Sequence, residues 1–230
     1  MLPTVWRAPP TPFRYRLLKP VSARVKKIEA WFPTLIYHEP LLKRGGSSFS
    51  AELLRECHQI RDYDHAGQRW STKSYPGGYT SYGSMDHLHQ FSSTFDRLRE
   101  LINPHVAAYA RALDWDLRGG RLEMTDCWIN IMPKGCAHSF HLHPQAVVSG
   151  TYYVKTPRGS SGLKFEDPRL SRLMAAPPRK SRGKASQQAH VVYPAKSGQV
   201  ILFESWLRHE VPTSLIDDER VSISFNYHWI

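Results

Sequence analysis

Cysteine is scarce in this chain, and acids are outnumbered. Cys57, Cys127 and Cys136 are the only three cysteines in 230 residues, and none forms a CxxC pair. That excludes a disulfide framework and leaves reduced thiols of the kind a cytoplasmic protein keeps. Long apolar runs are absent, so no membrane span is expected. No repeat divides the sequence. What remains is 41% hydrophobic and 22% charged, ordinary for a globular chain. Its length suits one domain with a sizeable core better than two cramped ones.

The shortage of acids is local. Twenty Asp and Glu stand against 31 Lys and Arg, for a net charge of +11. Residues 1–27 carry seven basic residues and no acid, and residues 158–184 carry eight against Glu166 and Asp167. Without these two segments the chain is close to neutral. A nucleic-acid binder usually carries its charge on a folded face, so nucleic acid is not the expected partner. Residues 1–27 are Pro-rich, poor in Ser and without the apolar core of a secretory signal. They are read as a flexible extension, or as a start assigned too far upstream, rather than as a transit peptide.

Periodicity divides the rest. Glu29–Tyr37 reads as a first strand. Ser50–Arg69 has Leu53, Leu54, Cys57 and Ile60 at helical spacing, with Ser50 as a candidate N-cap. Tyr75–Gly83 is loop-like. Ser93–Leu113 reads as a second helix that Asn103-Pro104 would kink or split. From residue 122 the pattern turns to short β-rich runs: Met124–Met132, Val147–Lys155, Leu163–Phe165, His190–Tyr193, Gln199–Phe203 and Val221–Trp229. Helices followed by many strands predict a mainly β fold, a jelly roll with flanking helices. Residues 167–188 lack periodicity and are read as a basic loop or lid. In the last run Arg220, Ser222, Ser224, Asn226 and His228 alternate with Val221, Ile223, Phe225, Tyr227 and Trp229. The second set must be buried, and the first faces water or lines a pocket.

His141-Leu142-His143-Pro144 carries the chemistry. Imidazoles at i and i+2 of a strand share a face, and His209, from another strand block, could complete three facial metal ligands. Such a site leaves coordination positions open. An isolated HxH is weak evidence, and hydrogen-bonded histidines in a β-turn are the plainer reading. His87-Leu88-His89 has no third partner and is read as surface. Strand alternation turns His138 away from His141.

Trp128-Ile129-Asn130, the HxHP motif, Ser149–Val154, Glu166–Arg169, Gly198–His209 and Arg220–Asn226 together resemble the 2-oxoglutarate–Fe(II) oxygenases and, more distantly, the prolyl hydroxylases. The resemblance covers roughly residues 28–230. It implies a double-stranded β-helix (a cupin-like jelly roll), one Fe(II), and 2-oxoglutarate as cosubstrate. Carried over by position, His141 and His209 are metal ligands. Arg220 holds the 5-carboxylate with Ser222 beside it, Tyr153 donates to the same carboxylate, and Asn130 is a weaker candidate near the 1-carboxylate or 2-oxo end. A planar guanidinium suits a carboxylate that would otherwise be costly to bury. One position departs from the superfamily, where Asp or Glu is usual: His143. It either ligates, or stands behind a water or anion, or marks a degenerate site. Asp167 and Glu204 are candidate acceptors behind the imidazoles.

The implied reaction oxidises a C–H bond of an unidentified small-molecule or peptidyl substrate while 2-oxoglutarate is decarboxylated. The 167–188 segment and the Tyr75–Gly83 loop are its expected walls, and the basic charge hints at an anionic substrate. A three-His cupin dioxygenase without 2-oxoglutarate and a non-catalytic binding module are the alternatives. Oligomeric state is not readable from the sequence; jelly-roll enzymes commonly dimerise through sheet edges, which leaves a homodimer open.

Overall fold

The computed structural model describes residues 28–43 and 46–230. The basic extension, residues 1–27, lies outside the described residues. Residues 35–230 form one compact unit. Ten strands follow in chain order: β1 (Ile36–Pro40), β2 (Tyr79–Thr80), β3 (Leu122–Met132), β4 (His138–His141), β5 (Val148–Lys155), β6 (Leu163–Glu166), β7 (His190–Tyr193), β8 (Gln199–Glu204), β9 (His209–Val211) and β10 (Arg220–Trp229). Four helices, α1 (Gly46–Tyr63), α2 (His65–Ser74), α3 (Leu88–Phe91) and α4 (Ser93–Ala112), precede β3. No helix among the described residues is long and apolar enough to cross a membrane.

The strands pair antiparallel in two sheets, a six-stranded β1-β8-β5-β10-β3-β2 and a four-stranded β4-β9-β6-β7. The period-2 pattern of β10 places it. Val221, Ile223, Phe225 and Tyr227 are fully buried in the core shared with Leu53, Phe95, Leu98 and Ile102 of the helices. A second core, with Ile201, Phe203 and Tyr153 of the large sheet and Phe165 and Val211 of the small one, fills the space between sheets. Arg220, Ser222 and Ser224 face into that space too. Trp229 departs from the pattern: it is half exposed, its indole donating to the Leu117 carbonyl at the sheet's end. The large sheet admits no side chain at Gly150, where a Cβ would lie 2.5 Å from the Phe225 ring.

Local structure departs from the sequence pattern in several places. The first strand begins at Ile36 rather than Glu29; Phe32 has φ of 58°, outside the β region, and is 95% exposed. The first predicted helix is two. Asp64 ends α1 and caps α2, its carboxylate accepting from the Gly67 amide, so Ser50 is interior to α1 and not a cap. In α4, Ser92 accepts from the amides of Thr94 and Phe95, and the helix runs through Pro104 without being split. The Tyr75–Gly83 segment is held, not loose. Tyr79 and Ser84 both donate to buried Asp64, Ser71 exchanges two hydrogen bonds with Thr80, and Ser81 accepts from the Ile129 amide. Those bonds fix one wall of the site.

Candidate metal centre

His141 ends β4, His143 follows it by two residues, and His209 opens β9, the strand that pairs with β4. Their ring centroids lie 4.2 Å (His141–His209), 5.2 Å (His141–His143) and 5.2 Å (His143–His209) apart. One nitrogen from each falls within 4.8 Å of the others. The other nitrogens are occupied. Nδ1 of His141 donates to the Ser139 carbonyl (2.7 Å), Nδ1 of His209 to the Leu207 carbonyl (2.9 Å), and Nδ1 of His143 to Asn226 Oδ1 (2.7 Å). Each acceptor fixes the Nδ1–H tautomer and leaves Nε2 with a lone pair. Nε2 of His143 is buried with no partner at all. Burial, reinforced by the neighbouring imidazoles, holds the rings neutral: His143 is pulled down to about 4 and His209 to about 2. Burial lowers His141 as well. A neutral imidazole with a free lone pair is the form a metal takes.

Three expectations fail here. His138 is inside the site: its ring stacks on His141 at 4.1 Å, because the β4–β9 register shifts between His138 and His141 and a bulge defeats simple alternation. The acceptors behind the ligands are two carbonyls and Asn226, not acids. Asp167 engages Arg169, and Glu204 bonds to none of the rings. Asn226, which also accepts from Ser149 Oγ (2.8 Å), was visible in the sequence only as one polar position of β10. The pair His87–His89 joins no metal cluster among the described residues, but His89 is buried rather than on the surface.

A narrow cavity of about 40 Å³ runs from the three imidazoles to Arg220, lined also by Asn130, Thr151, Ser222 and Ser224. Arg220 is 2% exposed. Its guanidinium lies over the Tyr153 ring (4.9 Å), and Nη1 reaches only Met132 Sδ and Ser222 Oγ, both at 3.2 Å. Nε has no partner, and no carboxylate among the described residues pairs with this cation. The hydroxyl of Tyr153 and Oδ1 of Asn130 are buried and unpartnered as well, while Asn130 Nδ2 donates to Ser224 Oγ (3.0 Å). Buried orphan atoms are rare in native proteins. Seven occur among the described residues, and four of them (Tyr75, Asn130, His143 and Arg220) line this one cavity. Such a set fits a ligand that brings a cation to Nε2 of His143 and an anion to Arg220.

Outside this cavity lies a wider cleft of about 220 Å³, walled by Trp70, Tyr75, Thr80, Tyr82, Trp128 and Leu142. The Tyr75–Gly83 segment is a wall, as expected. None of residues 167–188 lines either space, so that segment is not a lid over the site in this structure.

Residues 126–226 match the family model described as "Putative 2OG-Fe(II) oxygenase". The matched stretch is a little under half of the chain. It contains His141, His143, His209 and Arg220. No curated protein matches the chain. Solved structures do. The non-heme alpha-ketoglutarate-dependent epimerase SnoN from nogalamycin biosynthesis is 16% identical, with a TM-score of 0.60 over 85% of this chain and 76% of its own. HygX from Streptomyces hygroscopicus, with nickel and 2-oxoglutarate bound, is 14% identical, with a TM-score of 0.58 over 85% and 83%. A Pseudomonas putida prolyl-4-hydroxylase is 13% identical, with a TM-score of 0.50 over 85% and 88%. At these identities the likeness establishes the double-stranded β-helix fold that the sequence predicted.

Proposed function

We propose that this chain is a 2OG-Fe(II) oxygenase that binds Fe(II) through His141, His143 and His209 and anchors the 5-carboxylate of 2-oxoglutarate on Arg220. The observation that carries the reading is the buried, acid-free guanidinium at the far end of the imidazole-lined cavity. A dicarboxylate matches it: one end pairs with the planar fork, and the other reaches the metal face. Of the three accounts of His143, ligation is supported best, because its Nε2 is buried, partnerless and directed with the other two.

Bound together, Fe(II) and 2-oxoglutarate would supply the oxidising chemistry, in which O2 and the 2-oxoacid give succinate and CO2 while a substrate C–H bond is oxidised. The protein's own part is placement. Ser139 and Leu207 carbonyls and the Asn226 amide aim the rings. Ser222 and Tyr153 flank the guanidinium, with the Tyr153 hydroxyl free to donate to the same carboxylate. Asn130, between the histidines and Arg220, is within the same cavity and is assigned to the 1-carboxylate or 2-oxo end. The aromatic walls keep water from the metal face. All three cysteines are free and buried, which suits the cytoplasm.

The test is anaerobic titration of the full chain with Fe(II) and then 2-oxoglutarate by calorimetry. One iron per chain and saturable 2-oxoglutarate binding that needs the metal are expected. The His141→Ala/His209→Ala variant should hold no tight iron. Iron without any 2-oxoglutarate binding or succinate formation would refute the cosubstrate assignment and favour a dioxygenase whose own substrate's carboxylate sits on Arg220.

A further inference from the structure

The cleft outside the metal centre differs in character from the cavity within. Among the described residues, no Lys, Arg, Asp or Glu side chain lines it. Trp70 meets Tyr82 edge-on (6.3 Å), Tyr82 meets Trp128 edge-on (5.2 Å), and Trp128 tilts against His143 (5.8 Å). One aromatic wall therefore leads from the surface, where Tyr82 is half exposed, to a candidate metal ligand. Tyr75, 4% exposed, lines both cleft and cavity, and its buried hydroxyl has no hydrogen-bond partner among the described residues.

We infer that the cleft selects an uncharged, ring-bearing substrate, which lays an apolar ring face along Tyr82 and Trp128 and offers a hydroxyl or amide group to Tyr75. This rests on the metal-centre reading above. An anion entering the cleft would shed water against apolar rings with no cation to receive it, because Arg220 lies beyond the imidazoles at the far end of the inner cavity. A cation would meet the faces of aromatic rings but also the field of Arg220 and of the metal. A neutral ring avoids both costs. Rigidity helps, since a ring loses little freedom on binding. The size agrees: about 220 Å³ is below the ~300–1,000 Å³ usual for drug-sized ligands, so a single small ring, free or at the end of a longer molecule, is what fits. The hint of an anionic substrate from the basic 167–188 segment is thereby set aside, as none of those residues lines the cleft.

Three probes share one ring and differ in charge: cis-1,2-cyclohexanediol, cyclohexanecarboxylate and cyclohexylammonium. Each is titrated into the full chain loaded with Fe(II) and 2-oxoglutarate without O2. Paramagnetic relaxation of the ring protons reports nearness to iron, and tryptophan fluorescence reports the cleft. The diol should bind at least about fivefold tighter than either charged probe. Tyr82→Ala should weaken the diol about fivefold, the loss of one good aromatic contact, whereas Tyr82→Phe should retain it. Equal affinity among the probes, preference for a charged one, no binding of the diol, or no effect of Tyr82→Ala would overturn the inference. Fluorescence needs no metal, so the cleft's preference is scored even if iron or 2-oxoglutarate fails to bind, and that failure would sink the proposed function separately.

Discussion

Arg220→Met separates what the guanidinium does for the fold from what it does for a ligand. In the protein alone this cation is 2% exposed, with a thioether and a hydroxyl as acceptors and one nitrogen unpartnered. Desolvating an ion costs several kcal/mol, and a thioether is a weak acceptor, so little of that is recovered. Methionine has comparable reach and no charge. The ligand-free variant should therefore melt at the same temperature as the parent or a few degrees higher. With 2-oxoglutarate the sign reverses. A bidentate carboxylate forms two charge-assisted hydrogen bonds at ~1.5–3 kcal/mol each, so their loss weakens binding by roughly 10²–10⁴-fold. At a concentration about 100 times the parent's Kd, ligand stabilises the parent by ~2.7 kcal/mol, or roughly 5–10 °C for a chain of this size. The variant should show no such shift. The assay is a pair of thermal melts, metal present, with and without 2-oxoglutarate, backed by calorimetry. If the variant keeps the parent's ligand-induced shift, Arg220 does not hold the diacid. If it loses 10 °C without ligand, the cation is a structural element and the reasoning about its missing partner is wrong.

Three other perturbations follow from the geometry. Asn226→Ala removes the acceptor that orients His143 and should lower metal affinity by roughly 10–100-fold; Asn226→Asp keeps an acceptor and should hold affinity near the parent's, as read by competition with a fluorescent chelator. The metal-stripped protein should lose stability in acid. His138, His143 and His209 are pulled down to about 3, 4 and 2, chiefly by burial and then by neighbouring imidazoles. Unfolded histidines protonate near 6.5, so below that pH the unfolded chain binds protons that the folded one refuses. The contribution is complete above about pH 6.5 and is lost as the pH falls toward the folded values, about 4 for His143, 3 for His138 and 2 for His209, and a melting temperature that is flat or rising from pH 7 to 5 would contradict it. Gly150→Ala places a Cβ against the Phe225 ring and the Ile201 carbonyl at the centre of the large sheet. Overpacking of that kind costs about 1–3 kcal/mol, seen as a lower midpoint in urea.

The strands were legible where one strand alternates over its full length. β10 announces itself because five polar residues interleave with five apolar ones, and the same register that buries Ile223 and Phe225 against the helices delivers Arg220 and Ser222 to the cavity. Short strands signal themselves unevenly: β6 and β7, four residues each and rich in Val, Leu and aromatics, were read as β-rich runs, whereas β2, β4 and β9 were not, although β4 and β9 carry two of the three histidines. The break between α1 and α2 was hidden for a different reason. Asp64 reads as an ordinary polar position of a helix until Tyr79 and Ser84, distant in sequence, are seen to donate to it.

Within the site, what sequence could reach was the set of residues whose chemistry is carried by spacing alone. His141, His143, His209 and Arg220 are brought together, but His143 lies two residues past the end of β4 rather than at i+2 of the strand. His138 was misplaced because counting by twos assumes an unbroken ladder, and the β4–β9 register shift falls within the interval being counted. Asn226 was seen but given no role, since an amide acts here only through a partner 83 residues away, His143. The aromatic wall was invisible for the same reason. Trp70 belongs to α2, Tyr82 to the segment pinned by Asp64, and Trp128 to β3, so no window of sequence holds them together. On the proposed reading, metal and diacid are recognised by residues that strand order must align, whereas substrate is met by whatever the helix–loop layer lays across the mouth. Choice of substrate can therefore change through Trp70 and Tyr82 while the ligand trio and Arg220 stay fixed, and variants at those two positions should alter which compound stimulates succinate formation before they alter iron content.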